Sequence, residues 1–317
     1  MTCILCSSEQ SKLISKHDRH NQPLMTRLCM GCGLVYNDPI PSDGELIEFY
    51  SEHYRQSYKG AAKPRRRQIL RNFKRAVDHV NVFADVFSGV GSVLDIGAGS
   101  GEFLFAMNAA GKRTKGIEPN RDYAAYCRDD LDLDVRTDEI RPGMFDGEKF
   151  DFIRLSHVLE HLNDPVGKLS AIADYLEDDG VLYVEVPNIE SYSSFRSTAR
   201  IFHYGHIFNF NPWTLRAAAG LAGLVEDEKT VALTGDNTAA FFRKGPAWSI
   251  EQAANADNAA RVASLLEAHY AGGSGAKLAV RLLQKIGLRT SETVQGWIHR
   301  SPRNIGRSVI ARHMRLG

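Results

Sequence analysis

The 317-residue chain lacks a long apolar run, since no stretch approaches the ~18 consecutive apolar residues of a membrane span. Its first residues, MTCILCSSEQ, lack the basic-then-apolar layout of a secretory signal. A strong overall charge is also missing: the net charge of +1 indicates no acidic or basic partner for the molecule as a whole. We therefore expect a cytoplasmic globular protein that is long enough to bury a core.

Cysteine is scarce, and four of the five cysteines form two C-x-x-C pairs: Cys3, Cys6, Cys29 and Cys32. In a reducing cytosol such pairs bind metal more often than they form disulfides. Two tight turns that each aim two thiolates at one point predict a zinc ribbon over residues 1–40, with its 22-residue spacer forming a long hairpin. The alternatives are a redox dithiol or four unrelated cysteines. Four thiolates leave no open position, so this zinc would be structural, and Cys127 would be a buried small side chain.

Residues 41–87 are predicted to be a helical linker or lid. Ser42 and Glu45 form a capping box for a short helix. A stripe of tyrosines at a spacing of four residues would either pack or cover a ligand: Tyr50, Tyr54 and Tyr58. An amphipathic helix over residues 63–87 begins with a basic cluster, which is either a solvated face or a site for an anionic partner.

From residue 88 to 246 strand and helix patterns alternate at short spacing, which predicts an α/β fold with a doubly wound, Rossmann-like parallel sheet. The predicted strands are 93–99, 114–118, 131–135, 150–155 and 180–186, and the helices between them are 102–110, 122–130 and 169–176. Residues 226–246 are predicted to add two antiparallel strands. Ligands of such sheets bind beyond the carboxyl ends of the strands, where Glu118, Asp138, His157 and Asn188 lie.

The loop after the first of these strands holds three glycines in five residues: Gly97, Gly99 and Gly101. It is either a tight turn without a ligand or a site where backbone approaches a cofactor. Glu118 ends the second strand, where an acid binds a ribose diol, so a dinucleotide and S-adenosylmethionine are both candidates. The spacing G-x-G-x-G between Asp95 and Glu102 favours S-adenosylmethionine, because two carboxylates repel a pyrophosphate and attract a sulfonium and an ammonium group.

Four motifs, VLDIGAGSGEFL, GIEPN, FDFIRLSHVLEHLNDP and GVLYVEVPN, resemble in order and spacing the class I S-adenosylmethionine-dependent methyltransferases over roughly residues 90–225. The resemblance implies that the glycine loop and Asp95 hold the methionine end of the cofactor. It implies that Glu118 binds the ribose hydroxyls and that Asp138, with its neighbour Glu139, contacts adenine. It places His157 where the reacting end of the cofactor faces the acceptor.

A second resemblance narrows the class. The ribbon, the Tyr-rich segment and the stretch HYGHIFNFNPWTL together are similar to bacterial methyltransferases of deoxysugar and surface-polysaccharide pathways. The sugar C-methyltransferases of that group usually have Glu-His where this chain has Gly205 and His206, and they carry a further C-terminal domain. Both differences favour transfer to oxygen. The resemblance thus implies a sugar or glycan acceptor.

A hydroxyl acceptor needs a base near neutral pH, and histidine is the natural choice. The predicted catalytic residues are His157, facing the cofactor from a helix after the fourth strand, and His206, as base or acceptor ligand. His161 is expected to be structural and Glu160 to tether a loop. A metal at His157 and His161 is not expected, because the sequence fixes no acid beside them.

Residues 247–317 are predicted to form a helical basic extension with a helix over 249–271. From residue 277 to 315 nine Lys or Arg face one acid, Glu292, with apolar residues between them. This segment would pack on the domain with a solvated basic face, or lie on an anionic membrane surface, or bind an anionic polymer. The localisation we expect is therefore cytoplasmic, with membrane association as an alternative.

Three functions remain in competition. The first is O-methylation of a sugar hydroxyl in polysaccharide or glycolipid biosynthesis, and the second is tailoring of a small molecule such as a quinone or an antibiotic. The third, an RNA-binding module, is disfavoured because few basic residues surround the ribbon cysteines and because SHVLEH stands where many base-modifying enzymes carry a D/N-P-P-Y/F motif. The oligomeric state is not predicted.

Overall fold

The computed structural model describes residues 1–49, 64–194, 201–227, 236–271 and 301–314. Within these residues the chain divides into two compact units. The first unit contains residues 1–49, 156–174, 182–194, 201–227 and 236–271. The second unit contains residues 64–155, 175–181 and 301–314. The boundaries between the units fall within two strands, after Leu155 and after Val181.

The strands of the described residues are, in chain order, β1 (Ser11–His17), β2 (Pro23–Cys29), β3 (Val35–Asn37), β4 (Ser92–Ile96), β5 (Arg113–Ile117), β6 (Val135–Arg136), β7 (Phe150–Ser156), β8 (Leu176–Pro187), β9 (Phe208–Asn209), β10 (Leu224–Glu226) and β11 (Asn237–Lys244). The α-helices are α1 (Asp43–Glu48), α2 (Arg66–Val82), α3 (Ala84–Phe87), α4 (Glu102–Ala109), α5 (Arg121–Leu131), α6 (Pro165–Ala173), α7 (Pro212–Leu221), α8 (Ile250–Ala253), α9 (Ala256–Ala271) and α10 (Pro302–His313). Two 3-10 helices cover Leu159–His161 and Ile189–Ser194.

The ribbon of the first unit is a four-stranded antiparallel sheet in the order β1–β2–β3–β9. The long spacer between the cysteine pairs forms the β1–β2 hairpin, as predicted from its length. Strand β9 pairs Tyr36 with Phe208 and Val35 with Asn209. The ribbon therefore extends beyond the first 40 residues, because it includes a strand from more than 170 residues later in the chain.

The first unit also contains an antiparallel sheet in which β11 pairs with β10 on one side and with residues 182–187 of β8 on the other. This confirms the two antiparallel strands predicted near residues 226–246. In strand β11 the consecutive residues Phe241 and Phe242 are fully buried, and the polar positions lie towards its ends, such as Arg243. Asn237 opens the strand beside Pro187, at the carboxyl end of β8.

The second unit contains the parallel strands in the order β7–β4–β5–β6. All five residues of β4 are buried, as a strand that is covered on both faces requires. Helices α4 and α5 connect β4, β5 and β6, so strand and helix alternate as the sequence predicts. The mixed α/β fold with a parallel Rossmann-like sheet is therefore confirmed.

Several predicted elements differ in the structure. The helix predicted over 63–87 is two helices, α2 and α3, and the helix predicted over 169–176 is α6, which begins at Pro165 and ends at Ala173. The third strand is only Val135–Arg136, because helix α5 continues to Leu131 and Asp132 adopts a left-handed φ of 65° that ends it. The segment after β7 is a three-residue 3-10 helix rather than an α-helix. The helix predicted over 249–271 is two helices, because Ala254 is extended and the Asn255 side chain accepts from the amide of Asn258 to begin α9.

The predicted capping box at Ser42 and Glu45 is present, with both reciprocal hydrogen bonds. The stripe of Tyr50, Tyr54 and Tyr58 lies outside the described residues, as does most of the basic C-terminal segment. Among the described helices, none has both the length and the apolar content needed to cross a lipid bilayer.

Candidate functional site

The glycine loop of the second unit follows β4 and leads into α4. Its three glycines all have left-handed φ values of 74°, 57° and 76°, which side chains rarely adopt: Gly97, Gly99 and Gly101. A Cβ at Gly101 would lie 2.8 Å from both the Cys127 sulfur and a methyl group of Leu133. A Cβ at Gly99 would meet nothing within 4 Å. The loop is therefore closely packed at Gly101 and has open space beside Gly99. Such an open glycine backbone fits a bound cofactor.

Glu118 lies one residue beyond β5 and is 8% exposed. One carboxylate oxygen accepts from the Gly99 amide at 2.7 Å, and the other accepts from the Asn120 amide at 2.8 Å. Burial raises the pKa of Glu118, and the two amides partly offset that effect. Each oxygen retains an acceptor position, so the residue fits a ribose diol next to the glycine loop.

Asp95 is fully buried at the end of β4, beside Arg154 of β7. Its two oxygens accept from the Arg154 guanidinium at 3.0 and 3.3 Å. Burial raises the pKa of Asp95, and the guanidinium acts in the opposite direction. Arg154 also lies over the Phe103 ring, with 4.8 Å between guanidinium carbon and ring centroid. Arg154 therefore balances the negative charge of Asp95, which was predicted to favour a cationic cofactor. No motif around Arg154 pointed to this residue.

Glu102 begins α4 and is 7% exposed. Its carboxylate accepts from the Ser100 hydroxyl and, from α2, from the amide group of Asn72 at 3.2 Å. Asn72 also bonds the Ser100 hydroxyl, so it ties the glycine loop to α2. Asn72 has no motif around it, and sequence reasoning missed it.

Asp138 lies two residues beyond β6, at the same carboxyl edge of the parallel strands as Glu118. Its side chain is 38% exposed and pairs with Arg141 at 3.1 Å, while one oxygen accepts from the Glu139 amide. The position agrees with the adenine contact that the resemblance implies, but both acceptor contacts are local. Its role stays a prediction.

His157 begins the segment after β7 and adopts a left-handed φ of 56°. Its amide donates to the Glu185 carbonyl at 2.8 Å, which holds the turn. The ring is 47% exposed, with Nε2 3.3 Å from the Asn237 amide nitrogen and Nδ1 3.5 Å from a Glu160 oxygen. The amide donates to Nε2, so the ring carries its proton on Nδ1, towards the carboxylate.

The Glu185 carboxylate, 6% exposed, supports this end of β8. It accepts from the Ser156 hydroxyl at 2.9 Å and from the Asn237 side chain at 2.6 Å. The same Asn237 amide group therefore contacts both Glu185 and His157. Sequence reasoning missed Glu185 and Asn237, because β11 approaches His157 only through the antiparallel pairing with β8.

Three histidines of the first unit lie together: His161, His203 and His206. The centroid of the His206 ring is 4.9 Å from that of His161 and 3.9 Å from that of His203. Burial lowers the pKa of His206 well below its ordinary value, and the neighbouring histidines act in the same direction. The expectation that no acid stands beside His157 and His161 was wrong, since a Glu160 oxygen lies 3.5 and 3.8 Å from their rings.

Asn37 of the ribbon strand β3 holds the loop that carries His206. Its side-chain amide donates to the carbonyls of Tyr204 and His206 at 3.3 and 3.1 Å. The Asn37 backbone amide donates to the Ile207 carbonyl at 2.9 Å. The ribbon therefore fixes the conformation of the predicted catalytic loop, and nothing in the sequence around Asn37 indicated this.

The four ribbon cysteines converge as predicted. The Cys3 and Cys32 sulfurs are 3.6 Å apart, the Cys6 and Cys29 sulfurs are 3.5 Å apart, and all four lie within 4.8 Å of one another. Zn–S bonds of about 2.3 Å in a tetrahedron place sulfurs about 3.8 Å apart, so the residues fit zinc. Cys127 is buried, and burial raises the pKa of its thiol, as expected of a packing residue.

A family model described as "Methyltransferase domain" matches residues 64–228, slightly more than half of the chain. Glycine loop, Glu118 and parallel sheet together define the class as a Rossmann-like, S-adenosylmethionine-dependent methyltransferase domain. The chain belongs to this methyltransferase family.

The chain is similar to the ubiquinone biosynthesis O-methyltransferase of Actinobacillus pleuropneumoniae serotype 5b (strain L20), with 31% identity over 106 residues, covering 30% of this chain and 45% of the relative. It is also similar to an uncharacterized methyltransferase of Staphylococcus carnosus (strain TM300), with 33% identity over 97 residues, covering 30% and 46%. The matched region thus spans less than half the length of these curated relatives.

Two solved structures are similar to the chain at low identity. An O-methyltransferase family protein from Burkholderia thailandensis has 18% identity and a TM-score of 0.48, with 64% of this chain and 67% of that chain covered. The sugar N-methyltransferase KedS8 from Streptoalloteichus sp. ATCC 53650 has 18% identity and a TM-score of 0.46, with 61% and 93% covered.

Proposed function

We propose that this protein transfers a methyl group from S-adenosylmethionine to a sugar hydroxyl in polysaccharide or glycolipid biosynthesis. One observation carries the proposal: ribbon strand β3 pairs with β9 and holds the His206 loop through Asn37. The ribbon and the HYGHIFNFNPWTL stretch, which together resemble sugar methyltransferases, are thus one structural assembly. A ribbon that shapes an acceptor loop gives a reason for the two to occur together.

The cofactor would be held by residues of the second unit. The open backbone at Gly99 and the glycines on either side would accommodate the methionine part, and the Glu118 oxygens would accept from the ribose hydroxyls. Asp138 would lie towards adenine. S-adenosylmethionine, when bound, supplies a methyl group on a cationic sulfur. Asp95 and Glu102 would contribute negative charge, reduced at Asp95 by Arg154.

His157 is the base that the geometry supports best. The Asn237 amide donates to Nε2, so this nitrogen carries a lone pair. The hydroxyl of the methyl acceptor could replace the amide as the donor to that lone pair. Nδ1 faces the Glu160 carboxylate, which would stabilise the imidazolium after proton uptake. An exposed ring can meet an incoming acceptor, and the left-handed backbone at His157 gives it a defined direction.

His206 remains a proposed catalytic or acceptor-binding residue. Its lowered pKa keeps the ring neutral at pH 7, so it can accept a hydrogen bond but is a weaker base than an exposed histidine. We therefore propose that His157 removes the proton and that His206 contacts the acceptor. We also retain the division of the chain into 1–40, 41–87, 88–246 and 247–317 as a proposal about function.

A second candidate is O-methylation of a quinone precursor, because the curated relatives include ubiquinone biosynthesis O-methyltransferases. The similarity covers 106 residues, which is 30% of this chain. A match of this length is too short to include both the ribbon and the His206 loop. We therefore place the sugar acceptor first.

The test is transfer of labelled methyl from S-adenosylmethionine into nucleotide sugars, glycolipids and a polyprenylated catechol. We expect product with a sugar hydroxyl, a loss of at least about 100-fold in kcat for His157→Ala, and a smaller loss for His206→Ala with a raised KM. His17→Ala, at an exposed histidine at the end of β1, is the matched control. Full activity in both site variants would refute the base assignment, and methylation of the catechol alone would favour the second candidate.

We retain the cytoplasmic location as a proposal, and the alternative of peripheral membrane contact rests on the basic C-terminal segment. Two of its apolar residues, Ile305 and Val309, are buried in α10, which packs against α2 in the second unit. These two side chains therefore serve packing. Residues 277–300 of the segment lie outside the described part of the chain.

A further inference from the structure

A second group of metal-ligating side chains lies in the first unit, apart from the cysteines. It consists of Glu160, His161 and His206, called here the Glu160 cluster. Their potential ligand atoms all lie within 4.8 Å of one another. No predicted role accounts for this grouping, since His161 was expected to be structural and Glu160 to be a tether.

Glu160 is 1% exposed, and neither carboxylate oxygen has a hydrogen-bond donor among the described residues. A buried carboxylate without hydrogen bonds carries a large desolvation cost, which a cation in contact with it would offset. The rings of His157 and His161 lie 3.5 and 3.8 Å from a Glu160 oxygen, and both distances exceed the ~3.2 Å upper end of ordinary hydrogen bonds. A His206 ring nitrogen lies within 4.8 Å of the carboxylate as well.

His161 is oriented as a metal ligand. Its Nδ1 bonds the Gly205 carbonyl, which can only accept, so Nδ1 carries the proton. Nε2 then presents its lone pair towards Glu160. Metal-bound histidines usually donate their other ring N–H to a carbonyl or carboxylate in this way. Two ligand atoms on one ion with bonds of about 2.1 Å are about 3.0–3.4 Å apart, so 3.8 Å requires only a small side-chain movement.

The backbone around the cluster is already fixed. The Ile207 amide donates to the Glu160 carbonyl at 2.8 Å, and Asn37 holds the carbonyl of His206. The two segments that supply the ligands, 160–161 and 206, are thus joined directly and through the ribbon sheet. Binding an ion would need little ordering of the backbone, which favours affinity.

We propose that Glu160, His161 and His206 bind one divalent first-row transition-metal ion. Two imidazole nitrogens and one carboxylate suit such an ion better than Mg²⁺ or Ca²⁺, and three protein ligands leave positions open for water or an acceptor oxygen. This site is distinct from the Cys₄ cluster, which has no open position. The inference goes beyond the proposed function and does not depend on it.

The test is titration of Co²⁺ into the full-length protein whose cysteines already hold one zinc per chain, without S-adenosylmethionine or acceptor. We expect one Co²⁺ per chain by calorimetry, with weak visible bands and no sulfur-to-cobalt charge-transfer band. Glu160→Gln and His161→Asn should each lower Co²⁺ affinity by at least about 10-fold. The asparagine can still donate to the Gly205 carbonyl, so it removes the ligand with little change to the loop.

His157→Gln is the matched control, since His157 contacts Glu160 but is not part of the cluster. We expect it to retain Co²⁺ binding, and retained zinc with an unchanged circular dichroism spectrum would establish that each variant is folded. No second metal in the unsubstituted protein would overturn the proposal. Loss of Co²⁺ in His157→Gln but not in His161→Asn would also overturn it. Because no methyl transfer is measured, failure here is distinct from failure of the proposed reaction.

Discussion

Glu118 shows how one side chain connects burial, charge and ligand binding. Burial raises its pKa, and two backbone amides stabilise the ionised form. The carboxylate that we propose as the acceptor of the ribose hydroxyls is present above this raised pKa and is lost as the pH falls through it. The affinity for S-adenosylmethionine should therefore decrease on acidification, beginning at a higher pH than for an ordinary glutamate.

We predict that Glu118→Gln weakens S-adenosylmethionine binding about 10- to 100-fold, because hydrogen bonds to a charged acceptor are lost. Calorimetry between pH 5 and 8 would measure it, and the variant should also lose the pH dependence. Glu177→Gln, at an exposed glutamate of the same unit, should behave as the unsubstituted protein. If Glu118→Gln and the unsubstituted protein bound S-adenosylmethionine with equal affinity at every pH, Glu118 would be excluded as the ribose ligand.

The buried pair of Asp95 and Arg154 leads to a prediction about stability. Arg154→Met should lower the free energy of unfolding by about 3–5 kcal/mol, because it leaves the fully buried Asp95 carboxylate without its cation. Adding Asp95→Asn to that variant should recover most of the loss. Urea unfolding would measure both changes.

Arg113→Met is the control for that experiment. Arg113 is 52% exposed, lies on the neighbouring strand β5 and pairs with Glu148. An exposed ion pair contributes about 0–1 kcal/mol, so its loss should be small. Similar losses for both arginines would indicate that burial of Asp95 is not the cause.

At the scale of elements, helix α10 shows what part of the basic C-terminal segment does. A Cβ at Gly306 would lie 2.5 Å from the Phe73 ring of α2 and 3.0 Å from the Phe105 ring of α4. The helix therefore approaches α2 and α4 closely at this glycine. This contact joins residues more than 200 positions apart, and no local pattern predicts it.

We predict that Gly306→Ala destabilises the protein by about 1–3 kcal/mol through overpacking against two aromatic rings. Gly44→Ala, in helix α1, is the matched control because a Cβ there would meet nothing within 4 Å. Thermal unfolding of the two variants measures the difference. An unchanged Tm for Gly306→Ala would show that α10 does not pack as described.

The segment after β7 shows why an element predicted from the sequence can differ in the structure. The segment Ser156–His161 has an apolar spacing compatible with a helix, but the left-handed His157 and the backbone bond from its amide to Glu185 allow only a single 3-10 turn. Helix patterns describe which face is apolar. They do not describe competition from a neighbouring strand for the same amide groups.

At the scale of the whole molecule, the cysteines and the glycine loop belong to different compact units. Zinc binding contributes on the order of 10 kcal/mol to the folding of small zinc domains, so its removal should unfold the ribbon. Because β9 pairs with β3, the His206 loop should lose its conformation as well. The Glu118 site contains no ribbon residue among its hydrogen-bond partners described above.

We therefore predict that Cys32→Ser abolishes methyl transfer while S-adenosylmethionine binding persists. Hydrogen exchange followed by mass spectrometry would measure the units separately. Zinc loss should remove protection in β1, β2, β3 and β9, and S-adenosylmethionine should add protection around the glycine loop. If zinc loss also abolished S-adenosylmethionine binding, the prediction that the cofactor site is independent of the ribbon would be wrong.

The sequence alone determined the glycine loop, the acid at the end of the second strand, the cysteine cluster and the alternation of strands and helices. These features depend on short-range physics: φ values that only glycine adopts readily, the fixed geometry of C-x-x-C turns, and the periodicity of apolar residues. The tertiary structure decided the pairing of Asp95 with Arg154, the hold of Asn37 on the His206 loop and the convergence of Glu160, His161 and His206. Each of these contacts joins segments that are 45 or more positions apart in the chain. Sheet pairing and burial bring these segments together, and no local spacing in the sequence encodes the resulting distances.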